Sequence, residues 1–139
     1  MPRYDEVEVG TELPGQTFPV HRANLIQYCG ASGDFNIIHW NERVAKAVGL
    51  PNVIAHGMFT MAEAGRVVTD WAGDPGAVVE YGVRFSSPVV VADDDKGATI
   101  EAVRSIGGND LLTTRVDVAT EDGDPVCSAT SMLVARGAA

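Results

Sequence analysis

The chain has 139 residues, with 19 Asp and Glu against 10 Lys and Arg, a formal net charge of −9, and 45% hydrophobic residues. That balance argues against a surface for nucleic acid or an anionic membrane, since both need concentrated Lys and Arg. The length suits one domain over 1–139 that buries a core without disulfide or metal staples. No apolar run approaches the roughly eighteen residues that span a bilayer, and residues 1–6 form no apolar signal core, so a soluble cytoplasmic protein is expected. Cys29 and Cys127 lie in apolar surroundings without a partner at metal-ligand spacing, and two buried free thiols are expected rather than a disulfide.

In chain order, an extended lead reaches a turn at Glu12, Leu13, Pro14 and Gly15. Arg22 to Ser32 then carries Leu25, Ile26 and Cys29 at roughly helical intervals, with Gly30 and Gly33 suited to ending the helix. A loop follows, and Asn41 opens a short helix that Gly49, Leu50 and Pro51 close. From His56 to Ala72 the pattern is helical by length yet apolar or small nearly all round, which predicts a central helix buried on most sides. The remainder reads as strands. Val79, Tyr81, Val83 and Phe85 alternate with Glu80, Gly82 and Arg84; a second strand spans 98–106; Gly107, Gly108, Asn109 and Asp110 signal a hairpin into Leu112, Thr114, Val116 and Val118; and a turn at 121–124 leads into 126–135. Connections this short make antiparallel pairs. The fold class expected is α+β, a helix wrapped by a strongly curved antiparallel sheet.

The loop between the first two helices carries the densest chemistry: Gly33, Asp34, Phe35, Asn36, Ile37, Ile38, His39, Trp40. Imidazole titrates near neutrality and a neighbouring carboxylate can hold or release a proton, so Asp34 and His39 can supply both halves of general acid–base catalysis. Asn36 can orient an oxygen but cannot titrate. The bare string also suits a turn carboxylate, and a histidine between Ile38 and Trp40 suits a satisfied core residue.

Residues 28–39, read with that loop, resemble the hydratase-2 motif of the MaoC-like dehydratase family. Ala55, His56, Gly57 and Met58 resemble the start of that family's central helix, and Val83 to Val89 its strand after the helix. The order of elements is similar to the B-subunit type of mycobacterial (3R)-hydroxyacyl-carrier-protein dehydratases. The family places Pro after Asn, where this chain has Ile37. The resemblance implies a hot-dog fold, a homodimer or a heterodimer with a related subunit, and reversible interconversion of (3R)-3-hydroxyacyl and trans-2-enoyl thioesters carried on acyl carrier protein or coenzyme A, in fatty-acid elongation.

Under that resemblance His39 is the candidate base at the α carbon in dehydration and Asp34 the group that protonates or holds the departing hydroxyl. The sequence does not settle the division. Asn36 would position the hydroxyl or water, and the Gly57 N–H at a helix N-terminus would receive the developing enolate charge. His56 reads as structural, and His21 as a surface or capping residue. No cofactor is required, because the thioester acidifies the proton. No metal is expected: Asp34, His39 and His56 are conceivable ligands, but HExxH and Cys pairs are absent and the Asp34-to-His39 spacing lies on a loop. Gly30 and Gly33 lack the context of a phosphate loop. The series Met58, Phe59, Met61, Val67 and Val68 reads as core, and Arg66, Arg84 and Arg104 are the cations available to an acidic carrier. A noncatalytic acyl-binding subunit and a hot-dog thioesterase are the alternative functions.

Overall fold

The computed structural model describes residues 6–106 and 113–133. Strand β1 (Gln16–Val20) precedes helix α1 (Arg22–Ser32), the short helix α2 (Glu42–Ala47) and the long helix α3 (Gly57–Ala72), and β2 (Val78–Phe85), β3 (Ala98–Ile106), β4 (Thr113–Thr120) and β5 (Pro125–Leu133) follow. Among the described residues the strands form one antiparallel sheet in the order β1-β3-β4-β5-β2. β1 is therefore an edge strand, although the sequence read only as an extended lead there. The hairpin signal at 107–110 and residues 134 and 135 lie outside the described residues.

Helix α3 turns Thr60, Ala64, Val67, Val68 and Ala72 toward the sheet, a spacing of three and four that makes one stripe. Across from them lie Phe18, Val20, Ile100, Ala102, Val116, Val118 and Ala129. Burying each valine of that stripe is worth roughly 1.5–3 kcal/mol. Gly73 ends the helix in the left-handed region, φ 68°, and its N–H donates to the Thr69 carbonyl at 2.9 Å.

Two expectations need correction. Helix α3 is not enclosed on most sides: Met58 is 60% exposed and Ala62 is exposed, so one flank faces outward and Met58 is not core. Small and apolar residues outnumber charges there without every one of them facing the sheet. Nor does the β2 alternation hold along its length. A register shift between Val78 and Glu80 turns Val79 outward to 58% exposure, whereas Tyr81 and Val83 pack on the core. The two cysteines are buried and free, as expected.

Candidate active site

The loop after α1 is built from a relay of side-chain-to-backbone bonds. Gly33, at φ 75°, ends α1 and donates to the Cys29 carbonyl. Ser32 Oγ accepts from the Asp34 N–H at 3.1 Å, Asp34 Oδ1 from the Asn36 N–H at 3.1 Å, and Asn36 Oδ1 from the Ile38 N–H at 3.3 Å. Trp40 Nε1 closes the loop by donating to the Phe35 carbonyl at 3.1 Å. With Ile37 in the position of the family's proline, these bonds set the backbone course that a proline ring would otherwise restrict. The Asn36 oxygen caps the turn over Ile37–His39, which leaves its amide nitrogen as the group to offer a ligand.

A short extended segment fixes this loop relative to α3. Val91 donates to the Val53 carbonyl and Ala55 to the Val89 carbonyl, at 2.9 and 2.8 Å, so 53–55 runs against 89–91. On its other side Ile54 meets the loop after α1: its carbonyl lies 2.7 Å from His39 Nδ1. A carbonyl can only accept, so Nδ1 carries a proton, and Nε2 is the nitrogen left to bind or release one. That nitrogen stands 3.9 Å from Asp34 Oδ2. The structure thus brings together the two titratable groups singled out in the sequence, with the His39 side chain 8% exposed and that of Asp34 53% exposed.

His56 is the residue whose part the sequence understated. Its ring stacks on His39 at 3.7 Å between centroids and 23° between planes, and its Nε2–H donates to the Asp34 carbonyl at 3.1 Å. One buried side chain therefore touches both members of the pair. The Tyr28 ring packs on it, tilted by 58°, at 4.8 Å between centroids, and the Cys29 sulfur lies 3.6 Å from Nε2. Burial pushes His56 below the ordinary imidazole range, while the Asp34 carbonyl acts in the opposite direction. Its Nδ1 has no hydrogen-bond partner among the described residues. Helical periodicity gave no sign of this role, because all of these contacts are tertiary.

Gly57 follows as the first residue of α3, where the N–H is unclaimed by the helix. The Phe85 ring leans on it: Cζ is 3.3 Å from the place a Cβ would occupy. A cavity of about 320 Å³ opens beside them, lined by Ile54, Gly57, Thr60, Phe85, Pro88 and Val126 among others. It borders the Asp34–His39 pair through Ile54, whose carbonyl meets His39, and does not contain it. Arg66 is bound to Glu63 at 2.9 Å and lies over the Phe18 ring, Arg84 is exposed, and the Arg104 side chain lies outside the described residues. His21 caps the start of α1, where its N–H donates to Asn24 Oδ1 at 2.8 Å.

The ligand atoms of Asp34, His39 and His56 lie within 4.8 Å of one another, close enough to consider an ion. The hydrogen bonds fit proton transfer better. His56 Nε2 spends its proton on the Asp34 carbonyl, and its ring lies nearly parallel to that of His39, so the two imidazole lone pairs are not aimed at a common point. Among the described residues no helix is long and apolar enough to cross a membrane.

A five-stranded antiparallel sheet packed on one long helix is the hot-dog architecture. The family model described as "MaoC like domain" matches residues 6–123, and the chain belongs to the MaoC-like dehydratase family. A UPF0336 protein of Streptomyces coelicolor is 35% identical over 144 aligned positions, covering 96% of each chain. The 3-hydroxyacyl-thioester dehydratase X of Mycobacterium tuberculosis is 41% identical over 111, covering 74% of this chain and 39% of that protein. A solved MaoC-like dehydratase superposes with a TM-score of 0.86 at 41% identity, over 99% of this chain and 42% of its own.

Proposed function

We propose that the chain is a (3R)-3-hydroxyacyl-thioester dehydratase, working also in reverse as a trans-2-enoyl-thioester hydratase. The observation that carries this reading is the tautomer of His39: with Nδ1–H held by the Ile54 carbonyl, its Nε2 lone pair faces the Asp34 carboxyl at 3.9 Å. In dehydration His39 Nε2 takes the α proton, the C–O bond at the β carbon breaks, and a protonated Asp34 gives its proton to the departing hydroxyl as water. The reaction leaves His39 protonated and Asp34 ionised, and passing one proton across the gap between them restores the starting state. Hydration runs the same steps backwards. Asn36 holds the hydroxyl or water through its amide nitrogen, and the Gly57 N–H with the dipole of α3 takes up the charge on the thioester oxygen.

The wider reading is a single hot-dog domain acting with a second hot-dog subunit, a copy or a relative, on acyl thioesters of fatty-acid elongation in the cytoplasm. The open flank of α3 and the exposed Val79 on edge strand β2 support a partner. The test is incubation of the protein with crotonyl-CoA. Loss of enoyl absorbance with formation of (3R)-3-hydroxybutyryl-CoA supports the reading. Release of free thiol instead assigns a thioesterase, and a folded protein that is inert both alone and with a related hot-dog subunit assigns a binding subunit.

A further inference from the structure

Two aromatic rings of β2 each rest on a glycine of α3. Phe85 meets Gly57, and the Tyr81 ring comes to 3.3 Å from the place a Cβ on Gly65 would occupy. Eight residues of helix rise about 12 Å and four residues of strand advance about 13 Å, so helix and strand keep step between these contacts. Gly57, Met61 and Gly65 recur every four residues and share one flank of α3. The cavity at the Phe85 end is lined by α3 only as far as Thr60. On the next turn the flank is taken by Tyr81, whose hydroxyl donates to the Met61 carbonyl. The ring is held at two points, by that bond and by its Cε1 and Cζ against Gly65, where a Cβ would push it back by a few tenths of an ångström.

We propose that Tyr81 is the end wall of the acyl-chain channel along this flank of α3 and sets the upper limit on acyl length. The inference rests on the cavity being the acyl site of the Asp34–His39 centre. A thioester whose oxygen meets the Gly57 N–H sends its chain into the cavity. A short chain fits beside Thr60 and Phe85, whereas a longer one continues along the helix only by displacing the Tyr81 ring and breaking its bond to Met61.

The test is titration calorimetry with saturated butyryl-CoA and dodecanoyl-CoA, which cannot be hydrated, on wild type, Tyr81→Phe and Tyr81→Ala. Tyr81→Val, better suited to a strand, replaces the alanine variant if that one unfolds. Wild type and Tyr81→Phe are expected to favour the short chain, and loss of the ring to shift the ratio of affinities toward dodecanoyl-CoA by at least about tenfold, the scale of one methylene in an apolar pocket. An unchanged ratio, wild type favouring dodecanoyl-CoA, or no binding of either ligand overturns the proposal. Hydration of crotonyl-CoA by wild type is read separately: if it is absent while the shift in binding appears, the dehydratase reading fails and the Tyr81 wall stands.

Discussion

Replacing His56 by alanine removes the ring stacked on His39 at 3.7 Å and the donor to the Asp34 carbonyl at 3.1 Å. The side chain is 2% exposed, so its loss opens a cavity. Truncating a buried phenylalanine costs about 3–5 kcal/mol, and the smaller imidazole about 2–3. The lost hydrogen bond adds about 1 kcal/mol, and removing the unpartnered Nδ1 returns a similar amount. The net of about 2–3 kcal/mol lowers the melting temperature of a chain this size by roughly 10 °C. The activity loss is separate in origin. With neither ring nor donor, His39 and the Asp34 backbone lose the contact that sets their separation, and a misplacement of about 1 Å costs on the order of 100-fold. Hydration of crotonyl-CoA measured well below the melting temperature should show the loss in kcat with KM little changed, since in the proposed mechanism the pair meets the reacting atoms. His56→Phe, which keeps the stack, should recover most of the stability and part of the rate. A folded alanine variant with wild-type kcat would refute the positioning role of His56.

The same histidine makes stability depend on pH. Folded His56 is held below its ordinary 6.5, so below that pH the unfolded chain binds a proton that the folded chain refuses. Stability is then fully present above about pH 6.5 and falls on acidification, with a slope of at most about 1.4 kcal/mol per pH unit. Urea unfolding at about pH 7.5 and about pH 5.5 should show a smaller decline for His56→Phe than for wild type, and equal declines would contradict the assignment. Gly57→Ala places a methyl 3.3 Å from the Phe85 ring. That ring is 46% exposed and can yield, so the stability change should stay under about 1 kcal/mol. The methyl crowds the approach to the N–H, and kcat should fall about 10- to 100-fold in the hydration assay, below the full loss of an oxyanion donor. A variant with undiminished kcat would remove Gly57 from the mechanism.

Much of the fold was legible because its signals are local. Helices α1 and α2 begin and end where capping residues stand, with Asn41 accepting from the Val44 N–H and Gly33 in the left-handed region. Strand β3 spans the residues its composition marks. Strand β1 has no local signal, because the five residues Gln16–Val20 contain Pro19 and pair with β3, some eighty positions away. The course of β2 departs from alternation at Val79 because the register shift there answers to the partner strand.

The site divides in the same way. Asp34, Asn36 and His39 lie within six residues, so their proximity is a matter of sequence. The carbonyl that selects the His39 tautomer comes from Ile54, and the ring stacked on it from His56, and both are placed by the pairing of 53–55 with 89–91. Tyr81 reaches Gly65 across the fold in the same tertiary manner. No spacing in the chain announces those contacts.

The most direct measurement of the central claim is the rate of crotonyl-CoA hydration by wild type, Asp34→Asn and His39→Ala, with folding checked by melting curves. Asn retains the carboxyl's shape and cannot exchange its proton, and Ala leaves no base. Each substitution should lower kcat by at least about 100-fold, and the double variant should lose little more than either alone, as groups acting as one unit do. A folded Asp34→Asn or His39→Ala protein that hydrates crotonyl-CoA at the wild-type rate would contradict the account.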